Sequence, residues 1–147
     1  MKITILTIGK LKEKYLVDAV KEYLKRIKPY AVVEIIEVPE CRTVEEEGFK
    51  LLARIPNDSW VCVLDVHGEL MSSEELAKAV ADLTLSGRSK LTFVIGGAFG
   101  VSESLKEAAS MRLSLSKMTF THQMTRLILL EQIYRTFKIN RGEPYHW

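Results

Sequence analysis

LTFVIGGAFG, residues Leu91 to Gly100, predicts a buried strand that ends in a glycine-rich turn. A nearly continuous apolar run bounded by turn residues is typical of a strand covered on both faces, as the strands of parallel sheets are. Ser102 follows at the position expected for the N-cap of a short helix that continues through Ala109. Because strand, turn and helix succeed one another, this stretch favours an α/β fold.

Strand patterns of the same kind occur on both sides of this stretch. Each is short, rich in β-branched or apolar residues and closed by a turn. They are found at Ile3–Ile8, Val32–Val38, Trp60–Leu64 and, alternating with serines, at Leu113 and Leu115. Because helix patterns separate them, each connection returns the chain to the same edge of the sheet, and the strands are expected to pair in parallel. We therefore predict one α/β domain over residues 1–147.

Helix patterns fill the connections between these strands. The first has apolar residues at helical spacing from Tyr15 to Ile27, and the second extends from Thr43 to Ile55. After a turn expected at His67-Gly68, Ser72 and Glu75 have the spacing of a capping box, which predicts the start of a third helix.

The last helix, roughly His122 to Ile139, is apolar around more of its circumference than a single stripe. Its apolar residues include Leu127, Ile128, Leu130, Ile133, Tyr134 and Phe137. Such breadth suggests burial on two sides, by the sheet and by a second copy of the chain. We therefore expect a homodimer.

Charge is distributed unevenly, although the formal net charge is only +2. Seven basic and three acidic residues lie between Lys10 and Lys28, and five basic and two acidic residues lie between Lys117 and Trp147. The segment from Pro29 to Ser116 has eight basic and fourteen acidic residues. Two cationic ends suit a polyanion such as RNA if they meet in space, whereas the alternative is a solvated helix face.

Several function classes are disfavoured by what the sequence lacks. No apolar run reaches the ~18 residues of a membrane span, and the N-terminus does not resemble a signal peptide, so we expect a cytoplasmic protein without a membrane partner. Cys41 and Cys62 are expected to be free thiols, and His67, His122 and His146 share no ligand spacing, so no metal is expected. GxGxxG after the first strand and the P-loop motif are both absent, which argues against dinucleotide and P-loop sites.

Three loops are candidates for a ligand site, because ligands of open parallel sheets bind beyond the carboxyl ends of the strands. They are Asp65–Leu70, Gly96–Gly100 and Ser116–Thr121. The glycines of the second loop lack Cβ atoms where a ligand could approach the backbone, and a helix N-terminus follows. A tight strand-to-helix turn explains the same glycines equally well.

Several residues near the C-terminus do not fit the alternation of apolar and polar positions that is typical of a helix or a loop. Glu131 and Gln132 interrupt an apolar helix, so they reach its exposed edge or hydrogen-bond in an interface. His122 is a candidate ligand contact, or else a helix-terminal or satisfied core histidine. The tail Gly142–Trp147 ends in aromatic and imidazole groups, which predicts that it docks on another surface.

A family resemblance covers the whole chain. It is carried by Met1–Leu6, Gly9–Tyr15, Ile95–Gly100, Leu113–Phe120, His122–Met124, Glu131–Arg135 and Arg141–His146. Matched in this order, these segments resemble the RlmH family, ribosomal RNA pseudouridine N3-methyltransferases of the SPOUT class. The resemblance implies a deep trefoil knot near the C-terminus, S-adenosyl-L-methionine as cofactor, and a homodimer packed through the last helix. The implied substrate is a pseudouridine in a stem-loop of the large-subunit (23S) ribosomal RNA at the decoding region.

Site residues follow from the resemblance by position. The implied cofactor-binding residues are Leu64, Gly96, Gly97, Leu115, Ser116, Lys117, Met118, Thr119 and Phe120. The implied contacts to ribosomal RNA are His122, Arg135, Arg141, Tyr145 and His146. An imide nitrogen is a poor nucleophile until its proton leaves, so His146, Tyr145 and Arg135 are the catalytic candidates. His146 would accept the proton or orient the base, Tyr145 would stack on it, and Arg135 would hold phosphate or the developing charge.

Two departures from the family pattern and two rival functions stay open. The segment Glu40–Glu47 is short and acidic where family members have a longer, often basic one, and Trp147 ends the chain where a basic or histidine residue is common. The rivals are a SPOUT methyltransferase acting on another ribosomal or transfer RNA site, and a non-catalytic RNA-binding or ribosome-associated factor.

Overall fold

The computed structural model describes residues 1–145 and has a five-stranded sheet at its centre. The strands are β1 Lys2–Ile8, β2 Val32–Val38, β3 Trp60–Leu70, β4 Lys90–Ile95 and β5 Met111–Ser114. They lie in the order β2-β1-β4-β3-β5, and every neighbouring pair is parallel. The predicted α/β class with a parallel sheet is confirmed.

Within the described residues, five helices cover the two faces of the sheet. They are α1 Lys14–Ile27, α2 Val44–Leu52, α3 Ser73–Leu85, α4 Glu103–Ala108 and α5 His122–Asn140. On one face α5 packs against α1 and α3, and Val20, Leu76 and Leu129 lie in the larger core cluster. On the other face α2 packs against α4, and Leu51 and Leu105 lie in the smaller one. The apolar runs of β1 and β4 are therefore buried as predicted, whereas the edge strand β2 is buried only at Val38.

Helices α2 to α5 begin at hydroxyl caps, whereas α1 has no side-chain cap. The Ser72 hydroxyl accepts a hydrogen bond from the Glu75 amide at 3.0 Å, and the Ser72 amide donates to Glu75 Oε1 at 3.2 Å. The Ser102 hydroxyl accepts from the Leu105 amide at 3.2 Å. Both the predicted capping box and the predicted N-cap of the short helix are confirmed, since each satisfies backbone donors that the helix leaves unpaired.

The third strand is longer than its pattern predicts, and the turn expected at His67-Gly68 is wrong. β3 continues to Leu70, and its register against β5 shifts between Leu64 and Glu69. A Cβ at Gly68 would lie 2.7 Å from backbone atoms of Arg112, so the glycine is needed for the close approach of the two strands. The register shift is confined to the residues between Leu64 and Glu69, where His67-Gly68 also has the composition of a turn. The sequence therefore suggested that the chain reverses at this point.

Two further boundaries differ from the prediction. β5 ends at Ser114, before Leu115, because the Ser114 hydroxyl donates to the Ser116 carbonyl at 2.9 Å and helps turn the chain out of the sheet. The second helix ends at Leu52 instead of Ile55, where the chain tightens into turns ahead of a proline.

The two cationic ends of the chain meet in space, which was the condition for a shared polyanion surface. Tyr23 of α1 and Tyr134 of α5 have ring centroids 6.1 Å apart. Tyr30, just after α1, stacks on Phe137 at 5.8 Å, and the Arg141 guanidinium lies 4.6 Å from the Tyr30 ring. Among the described residues, no helix is long and apolar enough to cross a membrane.

Candidate active site

A cleft of about 930 Å³ opens at the carboxyl ends of β4 and β5 and beside residues 64–67 of β3. Its walls come from those residues, from the loops after β4 and β5, and from the first residues of α1 and α5. The prediction that Asp65–Leu70 is a loop is wrong, because this segment continues β3. The implied cofactor residues that line the cleft are Leu64, Gly96, Gly97, Leu115, Ser116, Met118, Thr119 and Phe120. Lys117 lies in the same loop but is not among the lining residues. A cleft of this size suits a ligand with the bulk of a nucleoside cofactor.

The glycine-rich turn after β4 is closed against itself. A Cβ at Gly96 would lie 2.3 Å from the Gly100 carbonyl oxygen, while the Gly100 amide donates to the Gly97 carbonyl at 3.0 Å. A Cβ at Gly97 would lie 3.0 Å from Glu47 Oε1 and 3.1 Å from Ile8 Cγ2. The missing side chains therefore allow tight packing of the turn, and Gly96 and Gly97 can offer only main-chain groups to the cleft, beside Ala98 and Phe99.

The loop after β5 is ordered by its own hydroxyl groups. The Ser116 hydroxyl accepts from the Met118 amide at 3.0 Å, and Thr121 caps α5 by accepting from the Met124 amide at 3.2 Å. Met118 and Phe120 are exposed at the rim. The hydrogen bonds of Ser116 and Thr121 therefore order the backbone of this loop, while the side chains of Met118 and Phe120 are exposed at the cleft mouth.

Asp65 and His122 are two of the polar residues that line the cleft. The Asp65 carboxylate is nearly buried, accepts from the His67 amide at 3.0 Å and pairs with the Arg112 guanidinium at 3.4 Å. Within residues 1–145 the buried Nε2 of His122 has no hydrogen-bond partner. The charge of Asp65 is therefore balanced by Arg112, whereas the unpaired imidazole nitrogen of His122 is available for one hydrogen bond.

Sequence reasoning did not single out Asp65 or Arg126. Asp65 is the polar residue that directly follows the buried run of β3, which is the available signal. Arg126 directly precedes the apolar run Leu127–Leu130 of α5 and is 2% exposed. Its guanidinium donates to Glu37 Oε2 at 2.7 Å and to the Gly9 carbonyl at 3.1 Å. It thereby fixes the start of α5, and the cleft wall there, to the ends of β1 and β2.

The predicted catalytic arginine and tyrosine lie at the other end of α5. Arg135 is 13 residues beyond His122, which places it ~20 Å further along the helix. Its guanidinium donates to the Tyr145 carbonyl and to Glu131 Oε1, the latter at 3.0 Å. Arg141 lies near this end too, against Tyr30. Within one chain, these groups are not brought to the cleft, and His146 lies outside the described residues.

The tail docks as predicted over its described part. Glu143 accepts from the Lys138 ammonium at 2.8 Å and from the Tyr30 hydroxyl at 3.2 Å, and the hydrogen bond from Lys138 lowers the pKa of that carboxyl. The Tyr145 hydroxyl donates to Glu74 Oε1 at 2.7 Å, which raises the pKa of Tyr145. Tyr145 therefore keeps its proton at neutral pH.

Among residues 1–145, no group of three His, Cys, Asp or Glu side chains is arranged to hold a metal ion. Cys62 is buried in the core, and burial raises the pKa of its thiol to about 12. Neither cysteine lines the cleft.

Comparison with known proteins decides the family. Residues 1–146 match the family model described as "Predicted SPOUT methyltransferase". The chain belongs to the SPOUT methyltransferases. The cleft of this methyltransferase lies at the strand ends where the family resemblance puts the cofactor loops.

Full-length relatives narrow the family further. Proteins named ribosomal RNA large subunit methyltransferase H are 52% identical in Pelotomaculum thermopropionicum, 51% in Halothermothrix orenii and 46% in Enterococcus faecalis. Each match covers 99% of this methyltransferase and 98 or 99% of the relative. This methyltransferase is therefore a member of the RlmH family. The alignments span 157 or 158 positions, so the relatives have residues that this shorter chain lacks.

Proposed function

We propose that this methyltransferase transfers a methyl group from S-adenosyl-L-methionine to N3 of a pseudouridine in the decoding-region stem-loop of large-subunit ribosomal RNA, in the cytoplasm. The observation that carries the proposal is the convergence of the loops after β4 and β5 with residues 64–67 of β3 on one cleft, whose lining includes Gly96 and Gly97. The names of the relatives, which act on large-subunit ribosomal RNA, support the substrate class. One domain over residues 1–147 would carry the whole activity.

The cleft residues fit S-adenosylmethionine. The unpaired Nε2 of His122 suits a polar group of the ligand or of the RNA base, while Asp65, which also lines the cleft, is paired with Arg112. Leu64, Leu115 and Met118 supply apolar walls, while Gly96, Gly97 and the 116–120 segment supply main-chain groups that can recognise an adenine edge. When bound, the donor supplies an electrophilic methyl group on a sulfonium.

We propose that the chain near this cleft forms the deep trefoil knot of the SPOUT class. β5 is an edge strand, yet the helix that follows it contacts the loop after β1, three strands away in the sheet. The Lys12 amide donates to Gln123 Oε1 at 3.3 Å, and Arg126 donates to the Gly9 carbonyl. The C-terminal segment therefore crosses the carboxyl edge of the sheet, as threading through a loop would require. Such a knot is an exception to the usual absence of knots.

We propose that the active unit is a homodimer packed through α5. Leu127, Ile128 and Tyr134 of α5 remain half-buried after α1 and α3 have packed against it, so an apolar surface is left for a second copy. In a two-fold dimer the far end of one α5 can reach the cleft mouth of the other chain. Arg135, ~20 Å from its own cleft by helix length, and Tyr145, whose carbonyl accepts from Arg135, would then complete the partner's site.

Each of the candidate catalytic and RNA-binding residues has a separate proposed role. His146 would accept the N3 proton or orient the base, since an imide nitrogen needs deprotonation before it attacks. Tyr145 would stack on the base and keep its hydroxyl proton, in keeping with its raised pKa. Arg135 and Arg141 would hold phosphate or the negative charge that develops on the base, and His122 would contact the RNA from the cleft side.

A methylation assay on paired substrates tests the proposal. Two synthetic stem-loops that differ only in carrying pseudouridine or uridine at one loop position are incubated with radiolabelled S-adenosylmethionine. We expect label only in the pseudouridine RNA, with mass spectrometry locating it at N3. No label in either stem-loop, together with label in a parallel incubation with transfer RNA or at another site of whole ribosomal RNA, would favour a different SPOUT substrate. RNA binding without donor binding would favour a non-catalytic factor.

A further inference from the structure

One surface of α1 carries a row of lysines that the cleft does not use. Lys14, Lys21, Lys25 and Lys28 are all exposed. They recur at the spacing of one helix face and fall within an arc of ~60°, on the side of the helix away from its buried residues. We call Lys14, Lys21, Lys25 and Lys28 the α1 lysine face.

Most of this charge is unpaired. Lys14 pairs with Asp18 at 3.0 Å, which neutralises one position. Within the described part of the chain, the ammonium groups of Lys21, Lys25 and Lys28 make no hydrogen bond or ion pair. A row of unpaired like charges on one helix repels itself, so it favours binding of an anion along its length.

The α1 lysine face begins at the cleft. Glu13 and Tyr15, the neighbours of Lys14 in sequence, both line the cleft mouth. Lys28 lies 14 residues further on, ~21 Å along the helix axis. A linear array of positive charge that starts at a substrate cleft and leads away from it matches a polynucleotide backbone better than a small anion.

We propose that the α1 lysine face binds the phosphate backbone of the substrate RNA and so positions the stem while the target base enters the cleft. This proposal rests on the proposed RNA substrate and adds a contact surface to it. The lysines read no sequence, because phosphate contacts set register and orientation only. They lie away from the reacting atoms, so they contribute to RNA binding and not to the methyl transfer step.

RNA binding by charge variants tests the surface. Lys21→Glu with Lys25→Glu reverses two charges on α1, and Lys50→Glu with Arg54→Glu makes the same net change on the opposite side of the sheet, where both residues are also exposed. Binding of a labelled RNA stem-loop with one loop pseudouridine is measured by fluorescence anisotropy at several salt concentrations. Calorimetry with S-adenosylmethionine serves as the folding control for both variants.

We expect the α1 variant to bind RNA roughly 10- to 100-fold more weakly and its log Kd to depend on log salt with a slope smaller by about 2. The neutral variant Lys21→Gln with Lys25→Gln should show the same loss of slope with a smaller loss of affinity. In turnover assays KM for RNA should rise while kcat stays within about twofold, since only phosphate contacts are lost. The control variant should bind as the wild type does.

Two results overturn the α1 assignment alone: an α1 variant that binds and methylates RNA as the wild type does, or a control variant that is weakened equally. A wild-type protein that neither binds nor methylates the stem-loop would instead overturn the proposed function.

Discussion

Replacing Gly96 by alanine should damage the cleft more than it damages the fold. The new Cβ would lie 2.3 Å from the Gly100 carbonyl oxygen and 2.8 Å from its carbonyl carbon, whereas real Cβ contacts essentially never fall below 3.0 Å. Backbone on both sides of the turn must therefore separate by about 1 Å. Overpacking of this kind costs ~1–3 kcal/mol of stability. The displaced segment is cleft wall, and a 1 Å misplacement at an active site can cost ~100-fold in rate.

Gly87→Ala is the matched control. Gly87 has φ +90° at the end of α3, and nothing lies within 4 Å of the Cβ that alanine would add. The substitution therefore costs only the left-handed strain, ~1–2 kcal/mol, in a turn that does not line the cleft.

Three measurements separate the two variants: urea unfolding, calorimetric titration with S-adenosylmethionine and methyl transfer to the RNA stem-loop. We expect comparable losses of stability in both variants, but loss of donor affinity and turnover in Gly96→Ala alone. Wild-type donor affinity and turnover in Gly96→Ala would refute the assignment of this turn to the donor site. An equal loss in Gly87→Ala would show that the effect is general destabilisation.

The remaining predictions concern the tail, a buried arginine and a buried thiol. His146→Ala should keep donor affinity and lose turnover; turnover at the wild-type rate would show that another group handles the proton. Arg126→Met should lower the free energy of unfolding by about 2–3 kcal/mol, less than for a fully buried pair because water can reach Glu37; a loss below about 1 kcal/mol in urea unfolding would contradict this. Burial raises the pKa of Cys62 to about 12 from 9.0. Above pH 9 the unfolded chain loses this proton while the folded protein keeps it, so the free energy of unfolding is unaffected below pH 9 and falls as pH rises from there toward 12. Wild-type stability should therefore fall by ~1.4 kcal/mol more between pH 7 and 10 than that of Cys62→Ala; parallel curves would argue against the raised pKa.

Much of the fold follows from short-range signals in the sequence. The apolar run of 91–95 and the capping box at Ser72 and Glu75 each fix an element from neighbouring residues alone, and both appear where predicted. The cleft also follows, because parallel strands place their carboxyl ends at one edge, so loops distant in sequence must converge there.

Features that depend on contacts between distant elements are harder to predict from the sequence. The extension of β3 depends on its shifted register against β5, which no local pattern of residues 65–70 encodes. The role of Arg126 depends on Glu37 and the Gly9 carbonyl, which lie far from it in sequence. The direction of the Gly97 Cβ, toward Glu47 and Ile8, likewise requires the packed helix α2.

The distance between Arg135 and its own cleft is the feature with the largest consequence for mechanism. The resemblance implied one site containing both the cofactor loops and the tail, but along α5 the two are separated by ~20 Å. A second chain would resolve this separation, so the dimer and the catalytic roles of Arg135 and Tyr145 depend on each other. If the protein were monomeric by light scattering yet fully active, both the dimer and the catalytic roles of Arg135 and Tyr145 would be contradicted.

A crystal structure after soaking with S-adenosylmethionine tests the central claim most directly. We expect the donor in the cleft between β3, β4 and β5, with its adenine edge hydrogen-bonded to main chain of the Gly96–Gly100 turn and the 115–121 segment. A donor bound at any other place on the molecule, or an empty cleft at saturating donor concentration, would contradict the account.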